Sequence, residues 1–332
     1  MLWALRIGRA DTQVAGRRAK FTAVRVEIEE AVKLLSRGDD AGLEQALTLL
    51  QNTVFSFSMR ICGQREDAED TMQEVLLKSI PYLPKLTNPK ALAVWLYKVA
   101  KNRCLMSRRR SKFAPRLDLS LDELMPDRKE LAQLAAKGLN PEAFAMRNED
   151  AARLRSAIQK LPQPYRIVLV LRDMEGLTDD EVAEITGVRS GTVRVRLHRA
   201  RLFVRKELMK ALKRGFEGVP AASGTSLQEQ SGHEQSGIKR RTDDEARPAR
   251  CKALFAELSN YLDEQLDDAP CEELERHLKG CEPCEAFLSS LKATIDGCRR
   301  SPADRPGRAK ATELRRKVLS DYEQLKANYM RR

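Results

Sequence analysis

The chain is predicted to be all-α: two helical domains, a small helical metal-binding domain, and flexible linkers between them. Three observations predict this. Leu, Ala, Arg, Glu and Lys dominate the 332 residues, and aromatics make up only 5%, a composition of strong helix formers. Apolar residues recur at helical spacing, and no strand-rich stretch appears. Prolines gather at 81, 84 and 89 and again at 115, 126 and 141, where they separate the periodic segments.

Residues 1–20 read as a flexible basic extension, because the apolar part of MLWALRIGRA is too short for a secretion signal. The first domain, 21–112, is expected to hold helices at 22–36, 41–61, 66–80 and 90–110. Residues 113–145 form a linker with an acidic, leucine-containing patch at Asp118–Asp127. A second helical domain follows at 146–213. Residues 214–250, rich in Gly, Ser, Gln and charge, have little to bury and are predicted to be disordered. Cysteines mark 251–298. The basic tail, 299–332, carries a helix at about 311–330 with Leu314, Val318, Tyr322, Leu325 and Tyr329 on one side.

The most informative stretch runs from Gly176 to Arg205. Thr178 and Glu181 have the spacing of a capping box, which starts a short helix with Val182 and Ile185 on its apolar side. Gly187 falls where a tight turn needs a residue free of side-chain constraint. Ser190 is expected to cap a second helix whose apolar stripe is Val193, Leu197, Ala200 and Val204. Arg194, His198, Arg201 and Arg205 share another face. From Ile185 to Arg214 there are ten Lys or Arg and one acid, Glu207, so few of these cations have a local partner. A short positive helix held across another helix suits the DNA major groove. A solvated basic face in an ordinary bundle is the plainer alternative, and the turn chemistry weighs against it.

A net charge of +12 favours a polyanionic partner over an acidic substrate. No apolar run is long enough to cross a bilayer, so no membrane partner is expected. In the first domain, Asp67-Ala68-Glu69-Asp70-Thr71-Met72-Gln73-Glu74-Val75 opens a helix with acids at its positive end. Further on come Trp95-Leu96-Tyr97-Lys98-Val99-Ala100-Lys101-Asn102 and Arg108-Arg109-Arg110. From Leu96 to Arg116 there are eight basic residues and no acid. Aromatics beside such charge suit single-stranded DNA, whose splayed bases stack while its phosphates are neutralised. Trp95 and Tyr97 as core residues is the alternative. Cys62 and Cys104 read as small core residues of this domain.

Taken in order, REDAEDTMQEV, WLYKVAKNRCLMSRRR and the helix-turn-helix resemble a bacterial RNA polymerase sigma factor of the extracytoplasmic-function (ECF) group, over roughly residues 25–112 and 146–213. The resemblance implies a σ2-like bundle followed by a σ4-like domain. It implies that Asp67, Glu69, Asp70, Gln73 and Glu74 dock on the clamp of core RNA polymerase. Trp95, Lys98, Lys101, Asn102, Arg108 and Arg109 would capture unstacked bases of the −10 element. Arg189, Ser190, Thr192, Arg194, Arg196, His198, Arg199 and Arg201 would read promoter DNA at the −35 element. The linker would lie along the polymerase path for new RNA. One departure is Met106, where the family usually has an acid four residues after the asparagine, and it bears on packing and base preference there.

Cys251, His277, Cys281 and Cys284 form C-x25-H-x3-C-x2-C, a credible zinc set. His277 and Cys281 are one helical turn apart and are expected to face the same way, with Pro283 helping to end that helix. An earlier helix carries Leu254, Leu258 and Leu262 on one stripe, and a hairpin at Leu266–Pro270 folds it back. Cys271 competes for the fourth ligand position, and Cys298 is spare. The segment also resembles the zinc-binding anti-sigma domain, which clamps a sigma factor. A purely structural zinc knuckle and a thiol or metal switch are the alternatives. Residues 251–290 carry ten acids against three bases, and a flexible linker would hold this acidic module near the basic faces.

The leading expectation is therefore a cytoplasmic sigma factor with a C-terminal zinc domain that regulates it in cis. The alternative is a free-standing helix-turn-helix regulator with a redox- or metal-sensing zinc domain. No catalytic residues are expected. There is no phosphate-cradling glycine loop, and a closed Cys/His tetrahedron would leave no open metal position for water.

Overall fold

In the computed structural model, residues 23–79, 82, 88–107, 118–126, 148–217, 249–279 and 281–330 are described, and their regular elements are all helical. Four helices build the first domain: α1 (Ala23–Ser36), α2 (Asp40–Cys62), α3 (Arg65–Ser79) and α4 (Pro89–Ser107). Asp39 caps α2 by accepting from the Gly42 amide, and Gly63 ends it with φ 76°, sending its own N–H to the Met59 carbonyl. That left-handed residue is what lets α3 start two residues later and turn back against α2. Leu47, Leu50, Phe55, Phe57 and Ile61 of α2 meet Met72, Val75 and Leu76 of α3 and Leu92, Leu96 and Ala100 of α4 in a closed core.

Cys62 and Cys104 are fully buried in this core, as expected, but they are not separate thiols. They form a disulfide between the end of α2 and the last turn of α4, 42 residues apart in sequence. Nothing in either residue's sequence neighbourhood marks the other as its partner.

A short helix in the linker, α5 (Leu121–Leu124), precedes the second domain. That domain contains α6 (Asn148–Lys160), α7 (Gln163–Leu169), which runs on into a π-helical turn at Val170–Met174, then α8 (Asp179–Thr186) and the 28-residue α9 (Ser190–Glu217). The capping box forms as expected: Thr178 Oγ1 accepts from the Glu181 amide, and the Glu181 carboxylate accepts from the Thr178 amide. Gly187 adopts φ 72° at the turn. Ser190 differs from expectation. It is the first residue of α9, and its hydroxyl donates to Asp180 Oδ1 (2.7 Å), tying the two helices of the motif together.

The C-terminal region adds α10 (Ala249–Leu262), α11 (Asp268–Leu278), α12 (Glu282–Arg300) and α13 (Arg308–Met330). Phe255, Leu258, Leu274, Phe287, Leu291 and Ile295 make its core. That core also takes in Leu124 and Met125 of the linker and Leu202 of α9. Leu314 and Val318 of α13 are buried against the first domain; the side chains of Tyr322, Leu325 and Tyr329 lie outside the described residues. Segments expected to be separate domains thus share apolar cores. No described helix is long and apolar enough to cross a membrane.

Candidate nucleic-acid interface and metal centre

The apolar stripe of α9 packs as its spacing demands. Val193, Leu197, Ala200 and Val204 are all buried, on a base made by Val182 and Ile185 of α8. The four basic residues expected to share an open face do not share one environment. Arg194 is exposed, whereas His198, Arg201 and Arg205 are buried. Arg189, just before α9, and Ser190, Gly191, Thr192, Arg194, Val195, Arg196 and Arg199 in its first turns are exposed or half-buried. Val195, which the charge pattern passed over, stands among them.

The burial of Arg201 has a clear physical cause. Asp173, aimed by the π-helical turn, takes two hydrogen bonds from its Nε and Nη2 at 2.8 and 2.6 Å. Asp263, at the end of α10, takes two more from Nη1 and Nη2 at 2.8 and 2.9 Å. A guanidinium held this way by two buried carboxylates is fixed in place and unavailable to a base edge. Burial pushes the Asp173 carboxyl up, but Arg201, Arg299 and Arg172 together outweigh burial and hold it below the usual carboxylate range.

His198 sits one turn before Arg201 against α10, its Nδ1 2.8 Å from Ser259 Oγ. Desolvation, then the charges of Arg201 and Arg199, lower its pKa to about 4, so it is neutral at physiological pH. Arg205 hydrogen-bonds Ser290 (2.6 Å), with its guanidinium carbon 3.9 Å from the centre of the Phe287 ring on α12. The middle of α9, from His198 to Arg205, is thereby covered by α10 and α12.

On the first domain, Lys98 and Asn102 are exposed, and Trp95 is half-buried with its ring 5.8 Å from that of Tyr82. Tyr97 belongs to the core: it packs edge-on to Phe57 and its hydroxyl donates to Glu175 at 2.9 Å. Lys101, expected to face DNA, is buried and donates to the Ile185 carbonyl at 2.7 Å. It thus sits at the C-terminal, negative end of α8. Arg108 and Arg109 lie outside the described residues. On α3, Asp70 is exposed and Glu69 pairs with Arg65. Asp67 is half-buried. Asp70, Gln73 and Glu74 line an open groove with Leu77, Lys78 and Arg103.

Several contacts that organise this surface went unread in the sequence. Glu175, just past the π turn, accepts from Arg60 Nη1 at 2.6 Å as well as from Tyr97. Arg166 donates to the Ile61 carbonyl, and Gln159 to those of Met59 and Arg60, so the second domain caps the end of α2. Gln51 donates to the Ala311 carbonyl, and Arg315 to Thr48 Oγ1, which fixes α13 along α2. The partners are dozens to hundreds of residues apart, and no local pattern announces them.

At the metal centre, the His277, Cys281 and Cys284 ligand atoms lie within 4.8 Å of one another. His277 Nε2 is 3.4 Å and Cys281 Sγ 3.2 Å from Cys284 Sγ. A zinc tetrahedron with bonds of about 2.3 Å has edges near 3.7 Å, so one imidazole and two thiols at these spacings fit such an ion. The route to this arrangement differs from expectation. His277 and Cys281 are not on one helix: α11 ends at Leu278, Cys281 is the N-cap of α12, and Pro283 sits in the first turn of α12. The Cys251 side chain lies outside the described residues. Cys271 is not part of the converging group, and Cys298 is buried near Asp173 and Arg201, with its thiol pKa raised mainly by desolvation.

Comparison with known proteins agrees with this geometry. Residues 47–113 match the family model for Sigma-70 region 2, residues 151–204 that for Sigma-70, region 4, and residues 251–284 a zinc-finger family model. The ECF RNA polymerase sigma factor SigW of Bacillus subtilis is 28% identical over 184 residues, which is 54% of this chain and 96% of SigW. RNA polymerase sigma factor SigV of the same organism is 30% identical over 149 residues, 44% of this chain and 78% of SigV. The ECF RNA polymerase sigma-E factor of Escherichia coli is 27% identical over 187 residues, 55% of this chain and 95% of that protein. The matched sigma regions, with the reading helix and the His/Cys/Cys cluster behind them, establish that this chain belongs to the ECF group of RNA polymerase sigma factors, which act in transcription initiation, and carries an anti-sigma-like zinc-finger domain at its C-terminal side.

Proposed function

We propose that this sigma factor carries its own inhibitor, and that the chain described here is its silent form in the cytoplasm. The active form docks on core RNA polymerase through Asp67, Glu69, Asp70, Gln73 and Glu74. It captures the −10 strand with Trp95, Lys98, Lys101 and Asn102, together with Arg108 and Arg109. It reads the −35 duplex with the first turns of α9, where Arg189, Arg194, Arg196 and Arg199 are available. Zinc held by His277, Cys281 and Cys284, with Cys251 as the fourth ligand, orders the corner from which α12 starts.

The observation that carries the reading is the double grip of the C-terminal region. Asp263, Ser259, Ser290 and Phe287 hold Arg201, His198 and Arg205 of the σ4 recognition helix. At the same time α13 lies along α2 of σ2. The −10 and −35 elements lie at separate places along a duplex that rises about 3.4 Å per base pair. A chain in which Lys101 of σ2 touches Ile185 of σ4 cannot span them. Opening is therefore a condition of promoter recognition, and the C-terminal region opposes it.

The test is transcription by core polymerase with the full chain and with a chain ending at Glu217. Promoter-directed output from the shorter protein, with little from the full one, is the expected result. Equal output from both would reject silencing in cis. Failure of the shorter protein to join core enzyme would reject the docking assignment.

A further inference from the structure

The Cys62–Cys104 bond joins the two σ2 helices that hold σ4. Cys62 ends α2 and Cys104 lies in the last turn of α4, and both are fully buried with Thr71 Oγ1 of α3 against their sulfurs at 3.9 and 3.8 Å. From the last turn of α2, Arg60 reaches Glu175, and the carbonyls of Met59, Arg60 and Ile61 accept from Gln159 and Arg166. From α4, Tyr97 reaches Glu175 and Lys101 reaches the Ile185 carbonyl. Glu175 is the decisive residue. One of its oxygens is held by α2 and the other by α4, so its grip depends on the spacing of two helices that the disulfide fixes.

We infer that Cys62 and Cys104 form a redox site that sets how tightly σ2 closes on σ4. Oxidised, the pair holds the Glu175 seat in register; reduced, α2 and α4 are free to separate and the seat loosens. The chemistry balances with hydrogen peroxide as oxidant. One thiolate attacks a peroxide oxygen and becomes a sulfenic acid, and the departing hydroxide takes up the proton the thiol had released to give water. The second thiol displaces the hydroxyl as a second water, so two thiols and one hydrogen peroxide give one disulfide and two waters. In reverse, a dithiol supplies two electrons and two protons and is itself oxidised to a disulfide. Because both sulfurs are buried, exchange requires the end of α4 to open first. A switching role fits a protein that works beside the chromosome, where disulfides are transient and redox-sensing rather than permanent. Only this last point, and the consequence for transcription, rest on the proposed function.

The experiment uses the full chain with zinc present, treated with hydrogen peroxide or with dithiothreitol, and reads no transcription. Alkylation under denaturing conditions, followed by mass measurement of the peptides, should show Cys62 and Cys104 protected after peroxide and modified after dithiothreitol. Amide exchange across 175–186 should speed up about tenfold on reduction, as local opening becomes easier. The Cys62→Ala/Cys104→Ala protein should exchange at the faster rate in both conditions, which separates this pair from the zinc-site thiols. If the double variant does not fold, Cys104→Ala alone also lacks the bond and gives the same reading. Alkylation of both cysteines after peroxide overturns the inference. So does exchange that is equal in the two states, or a redox effect that persists without the pair. Failure of the chain ending at Glu217 to bind polymerase would overturn the proposed docking role and leave the redox site standing.

Discussion

Arg194 and Arg201 stand two turns apart on α9, and their environments assign them opposite work. Arg201 neutralises Asp173 and Asp263, which are 0% and 4% exposed. Arg201→Ala would leave Asp173 buried without its hydrogen-bonded cation and Asp263 with only Arg299 at 3.6 Å, and the expected loss is about 3–5 kcal/mol of stability, read by denaturant unfolding. Arg194 is exposed, so Arg194→Ala should leave the unfolding free energy within about 0.5 kcal/mol. In a chain lacking residues 218–332 it should weaken promoter binding and reduce the salt slope by about one. Equal stability losses in the two variants would contradict this division. His198 adds a pH dependence. It titrates near 4 in the folded chain against an ordinary 6.5, so the unfolded state binds more protons between those values. Its contribution to stability is whole above that window and falls as the pH drops through it, by about 3 kcal/mol in total. His198→Gln should remove this part of the pH slope in thermal unfolding; an unchanged slope would show that His198 is not its source.

At the level of elements, the corner between α11 and α12 has little apolar area of its own, so on the proposed zinc reading its order depends on the metal. Leu274 and Leu278 are the buried side chains of α11, while most of its other residues are exposed or half-buried. Removing zinc with a chelator should melt this corner first and lower the thermal midpoint, because metal binding and folding are one equilibrium in such modules. Cys281→Ser should reduce the metal content from one per chain to near none by elemental analysis. Retention of a full equivalent would rule Cys281 out as a ligand. The helix-turn-helix behaves differently. Its capping box, left-handed Gly187 and four-residue apolar stripe are local or share one helix, so it keeps its form whatever covers it.

For the molecule entire, closure combines a shared apolar core with a small number of buried polar joints. Glu175 is 2% exposed and holds both Arg60 and Tyr97. Burial, then the Glu175 charge, push the Tyr97 phenol well above its ordinary pKa, which keeps it a donor. Glu175→Gln removes the charge opposite Arg60 and retains a single acceptor. It should favour an open chain with a larger radius of gyration in small-angle scattering, since breaking one side of a buried pair costs about 3–5 kcal/mol. An unchanged radius would mean that closure is held elsewhere. Arg60 also reaches the Ser301 and Pro302 carbonyls, so one residue of σ2 meets both σ4 and the C-terminal strap.

The all-α class, the order of the modules, the capping box and turn of the reading motif, and the His277/Cys281/Cys284 cluster were all legible from residue order alone. Each of these depends on spacings within a few turns of chain. Which arginines remain free to touch DNA was not legible there and emerged only from the packed chain. Arg201, Arg205, His198 and Lys101 look alike in sequence to their exposed neighbours, and each is taken out of solvent by a partner 28 to 85 residues away. The disulfide likewise needed the packing of α2 against α4. Charge and periodicity describe a helix from its own residues; burial depends on what folds over it.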